Sequence, residues 1–69
     1  MKENGWVLKG EGVGYFDVFE DDFVNTPNGG CFFYSQEVAE EWKEDLYDDG
    51  IVVKVVPATL DGDQVEVTK

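Results

Sequence analysis

Sixteen acidic side chains stand against five lysines, with no arginine and no histidine, and leave this 69-residue chain at a formal net charge of -11. A domain of this size buries only part of its surface and has little stability to set against self-repulsion. Whatever fold it takes must turn almost every carboxylate outward and gather its apolar side chains efficiently. A net charge of magnitude about 2–8 already keeps a small domain soluble. The surplus points to an electrostatic role and a basic partner. Strongly basic protein surfaces are often nucleic-acid-binding grooves.

The apolar content is sufficient for a core. Apolar residues make up 42% of the chain, and two Trp, three Tyr and five Phe bury much area per residue. Acids and aromatics are interleaved, so the acid is not a disordered tail. The length fits one domain, residues 1–69. One cysteine, Cys31, excludes an internal disulfide and fits a reducing cytoplasm. Residues Met1–Gly5 have no apolar core behind them and do not read as a signal peptide. The longest aliphatic run, Ile51–Val53, is far short of the ~20 residues of a membrane span.

Trp6–Lys9 reads as a strand, Gly10–Gly12 as a turn and Val13–Phe19 as a second strand. Asn25–Gly30 is a loop of turn-forming residues, and Cys31–Tyr34 reads as a third strand. Ser35 suits a helix N-cap, and Gln36–Asp48 is the one helix, with Val38, Ala39, Trp42 and Leu46 as its apolar stripe. Gly50 suits the left-handed position after the helix. Ile51–Val56 reads as a strand that Pro57 ends or marks as an edge. Leu60–Asp63 is a hairpin turn leading into a last strand, Gln64–Val67. The expected fold is α+β: a small antiparallel sheet in the order β-β-β-α-β-β with one helix packed on one face. One helix of about 13 residues spans only about 20 Å and cannot cover both faces. Either Tyr15 and Phe19 belong to an exposed aromatic patch, or loops fold over the second face.

With Trp42 placed at the centre of the buried side, Glu37, Glu40, Glu41, Glu44, Asp45 and Asp48 fall on a continuous arc opposite. They line about 18 Å of helix, close to the one charge per ~3.4 Å of a single DNA strand. The pairs 37/41, 40/44, 41/45 and 44/48 are like-charged, each costing roughly 0.2–0.5 kcal/mol. Asp17, Glu20, Asp21 and Asp22 form a second cluster that could extend the row, and Asp61, Asp63 and Glu66 a third. Rigid carboxylates at this density would enter a groove lined by Lys and Arg and compete with nucleic acid.

Other chemistries lack their residues. Asp45–Gly50 departs from a calcium loop at its third position, Tyr47, and its twelfth, Val56. One cysteine and no histidine supply no zinc or redox-metal set, so no metal and no cofactor is expected. Cys31 has no histidine to activate it and reads as a buried structural thiol. Paired carboxylates for glycoside chemistry would need a cleft that a one-helix domain has no room for. Gly10–Gly14 opens a strand and lacks the third glycine of a nucleotide fingerprint. The sign of the charge disfavours direct binding to nucleic acid and to anionic membranes. No enzyme and no catalytic residue is expected.

A tiny, strongly acidic α+β chain with no catalytic residues resembles the small phage-encoded inhibitors of bacterial defence. These include anti-CRISPR proteins and DNA-mimicking restriction inhibitors. The resemblance is one of type, covers the whole chain and carries no diagnostic motif; it is greatest to type I anti-CRISPR proteins. It implies a non-enzymatic protein of the host cytoplasm, monomeric or weakly dimeric. Its partner would be a surveillance complex, bound where that complex grips target DNA. The alternative is a small phage interaction or structural module that binds through exposed aromatics, its acid serving solubility.

Overall fold

In the computed structural model, which describes residues 2–68, the chain forms one antiparallel sheet and one α-helix. The strands are β1 (Lys2–Gly10), β2 (Gly14–Asp17), β3 (Asp22–Val24), β4 (Val53–Asp61) and β5 (Gln64–Val67), and the helix is α1 (Gln36–Asp48). They lie side by side in the order β3-β2-β1-β4-β5. The α+β class and the helix on one face are as the residue pattern implies. The long central pair β1–β4 carries the sheet, in register from Lys2↔Asp61 to Gly10↔Val53.

Strand alternation divides the apolar residues between two cores. Leu8, Phe16 and Val53 pack under α1 with Phe33, Ala39 and Leu46. Phe16 meets Phe23 edge-on at 5.5 Å and Trp42 at 5.7 Å, which ties the β2–β3 hairpin to the helix. On the opposite face Val7 and Ala58 pack with Cys31 and Phe32, flanked by Tyr15, Val56, Leu60 and Val65. The loop before the helix therefore covers the second face. Tyr15 is half-buried there, and Phe19 is the aromatic of the β2–β3 region left outside.

Helix α1 starts and stops where its residues dictate. The Ser35 hydroxyl accepts from Val38 N–H at 3.4 Å. At the far end Gly50 takes φ +84, its N–H donates to Tyr47 C=O at 2.9 Å, and Ile51 N–H donates to Leu46 C=O at 2.8 Å. That is a Schellman closure, sealed by Ile51 packing into the same core as Leu46. The β4–β5 turn is the expected one, with Gly62 at φ +62.

Three local readings are corrected. Cys31–Tyr34 is not a strand: Gly29–Cys31 forms a 3₁₀ turn, and Phe33 alone bridges to Trp6. Asn28 imposes the turn, its side-chain oxygen accepting from Gly30 N–H at 2.7 Å. The third strand is instead Asp22–Val24, paired with β2. Second, β2 stops at Asp17 instead of Phe19, because the Asp17 carboxylate captures the next backbone N–H groups. Third, Pro57 lies inside β4. Its partner in β1, Trp6, points both backbone groups at Phe33. The proline nitrogen faces the β5 side at the very end of that pairing, where Pro57 C=O still accepts from Thr68 N–H at 2.9 Å, so only the terminal return bond is forgone.

Gly5 lies where the Phe32–Phe33 segment crosses β1. A Cβ there would collide with the Phe33 carbonyl and the Phe32 ring, whereas one at Gly29 meets nothing within 4 Å. Gly5→Ala is expected to cost about 1–3 kcal/mol in denaturant unfolding, and Gly29→Ala to stay within about 0.5 kcal/mol.

Candidate functional site: an acidic helix face

The buried line of α1 runs through Ala39 and Leu46, with 0% and 6% exposure. At about 100° per residue this lies roughly 50° from Trp42. The rotation explains why Trp42 is half-buried, and it corrects one member of the stripe, since Val38 is exposed. It also places Glu37, Glu40, Glu41, Glu44, Asp45 and Asp48 diametrically opposite the core, over an arc of about 140°. All six are exposed.

The six are not a single thread. They resolve into two i,i+4 ridges, Glu37–Glu41–Asp45 and Glu40–Glu44–Asp48, with successive Cβ atoms about 5–6 Å apart. Among the described residues none of the six has a hydrogen-bonding or ion-pair partner within the chain. Lys43 is half-buried on the flank and pairs with none of them. The last turn carries no basic residue, although the dipole there favours a cation. Asp45 and Asp48 therefore oppose the dipole as well as their neighbours.

The second cluster divides. Asp17 is buried at 4% exposure. Its Oδ1 accepts from Phe19 N–H at 2.9 Å and Glu20 N–H at 3.2 Å, which removes it from any contact surface. Glu20, Asp21 and Asp22 remain exposed around the turn, with Asp21 held left-handed at φ +54. The Asp22 carboxylate accepts its neighbour Phe23's N–H at 2.8 Å. Phe19, 85% exposed, stands beside these acids. The third cluster, Asp61, Asp63 and Glu66, lies around the β4–β5 turn, at the sheet edge opposite β3. It is not a continuation of the β2–β3 acids.

One feature carries no sequence signal. Val52 belongs to an aliphatic run that reads as strand, yet β4 starts at Val53. Val52 is left 68% exposed beside Tyr47 at 67%. Together with Lys43, Glu44, Asp48 and Val53 they line an open groove of about 350 Å³ at the C-terminal end of the acidic face.

The remaining chemistry is sparse. Burial raises the Cys31 thiol above its ordinary range, which disfavours the reactive thiolate. Among the described residues no three acidic or cysteine side chains converge as a metal site, and no helix is long and apolar enough to cross a membrane. Set against known proteins, the chain matches no family model, no curated protein and no solved structure.

Two exposed-looking carboxylates of one cluster thus have opposite expected roles. Asp17→Ala strands two backbone N–H groups and should cost about 1–3 kcal/mol, with Asp17→Asn recovering much of it. Glu20→Gln should fall within about 0.5 kcal/mol of the parent. Thermal unfolding of the three variants checks this.

Proposed function

We propose that this protein is a non-enzymatic inhibitor that presents a nucleic-acid-like charge surface to a basic partner and occupies its DNA-binding groove. The observation that carries the reading is the pair of ridges on α1. Six exposed carboxylates have no counter-ion among the described residues. They stand on an element whose two ends are capped and whose opposite face is packed. A charge array that opposes helix stability, where alternating Glu and Lys would support it, is explained by a partner that supplies the cations. Glu20, Asp21 and Asp22 form a further negative surface at the edge of the sheet.

The target class implied by the resemblance is a type I CRISPR surveillance complex, bound in the bacterial cytoplasm where it grips target DNA. Association would be fast at low salt and weaken steeply as ionic strength rises. Such a complex is recoverable by affinity capture from host lysate and displaceable with duplex DNA.

The triple variant Glu40→Lys, Glu41→Lys, Glu44→Lys interrupts both ridges. It should abolish inhibition of DNA binding by the target while keeping the fold. Stability should rise by about 0.2–0.5 kcal/mol for each like-charged pair relieved. Inhibition that survives in a folded, stabilised triple variant would refute the reading.

A second reading rests on Phe19. An aromatic ring 85% exposed on a turn is a natural contact for a protein partner. Under that reading Phe19→Ala abolishes activity and the triple variant does not, so the two variants separate the mechanisms.

A further inference from the structure

We propose that the groove at the C-terminal end of α1 seats a single arginine side chain projecting from the partner's basic surface. The proposal rests on the electrostatic reading above and names the contact at which that reading becomes specific.

The floor of the groove is apolar. Tyr47 and Val52 lie open to solvent with Val53 buried beside them. Glu44 and Asp48, one helical turn apart, also line it and have no partner among the described residues. Lys43 forms the third side and neutralises neither. The helix ends here, so the negative end of its dipole adds to the carboxylates, and no basic residue in the last turn offsets it. At about 350 Å³ the site is at the small end of ligand pockets, suited to one long side chain rather than a peptide segment.

Each feature selects among occupants. An anion is excluded by sign. A purely apolar side chain would crowd Glu44 and Asp48 without supplying a counter-charge. A second copy of this chain has no arginine to offer and carries the same charge of -11. Lysine satisfies the charge, but as a compact, strongly hydrated point. Arginine lays its methylene stem on Val52, stacks its planar guanidinium on Tyr47 and has five donors to divide between Glu44 and Asp48. The groove also adds what a uniform acidic face lacks: a position at which the partner's register is fixed.

The probe is a capped pentapeptide of glycines with one central arginine, titrated into the ¹⁵N-labelled full chain at low salt. Saturable amide shifts are expected at Tyr47, Gly50 and Val52. The lysine peptide should bind more weakly, and the uncharged citrulline peptide at least about tenfold more weakly. Tyr47→Ser and Glu44→Gln, both at exposed positions, should each reduce affinity about two- to fivefold. Glu37→Gln, on the other ridge, should change it little. Shifts spread evenly along Glu37, Glu41 and Asp45, or equal binding of arginine and citrulline peptides, would overturn the groove. An oligo-arginine peptide separates the two levels. If it binds the parent and not the Glu40/Glu41/Glu44 lysine variant while the single arginine ignores the groove, only the groove fails. If oligo-arginine is indifferent to that variant, the electrostatic reading fails with it.

Discussion

Two reciprocal hydrogen bonds between Trp6 and Phe33 hold the architecture together. Trp6 N–H donates to Phe33 C=O at 2.9 Å, and Phe33 N–H donates to Trp6 C=O at 2.8 Å. They fix the pre-helical loop against β1 at the point where β2 has stopped pairing with it. The chain passes there from one face of the sheet to the other. Phe32 is left in one core and Phe33 in the other, and Ser35 is delivered to start the helix. Without this crossing one helix would cover one face, and Val7, Ala58 and Val65 would face water. Gly5 is the consequence: the crossing backbone and ring occupy the space of its Cβ.

A two-sided core is what permits the charge. Among the described residues the helix makes no ion pair, and it carries acids at the end where the dipole disfavours them. Its stability comes from tertiary packing of Ala39, Leu46 and Trp42, and from its two caps. The helix's outward face can then be given to one sign of charge. Repulsion between the ridges is held rigidly instead of being relaxed by fraying, and a charge array held in place loses little entropy on meeting a complementary surface.

What the residues announced and what they hid follow from range. Helix α1 was legible to its ends because its signals are local: Ser35 before it, Gly50 after it, and apolar residues at helical spacing between. The Gly62 turn was legible for the same reason. The aromatic run Cys31–Tyr34 misled because its burial on two faces comes from a long-range crossing, and a short apolar run reads as strand either way. Pro57 misled because its tolerance depends on where β5 ends. Of the expected acidic site, the helix carboxylates lie where their periodicity puts them. Asp17 could not be told from its neighbours, since only its position before a tight turn makes it an internal acceptor. Val52 was hidden because the Schellman closure, not the apolarity of Ile51–Val53, decides where β4 begins.

The contrast between ridges and groove bears on how such a surface could be selective. Carboxylates alone offer any basic cleft the same invitation, and long-range attraction speeds encounters without choosing among them. A duplex presents charge above a hydrophilic groove, with no apolar hollow at the edge of its phosphate rows. Tyr47 and Val52 are therefore a point at which this surface departs from the polymer it would imitate. A partner that holds DNA only through phosphates gains nothing there. One with an arginine placed to reach past the charged rim gains a stacked, doubly hydrogen-bonded contact that DNA does not supply. Charge would bring the two surfaces together, and the hollow beside the helix terminus would decide which basic surface is retained.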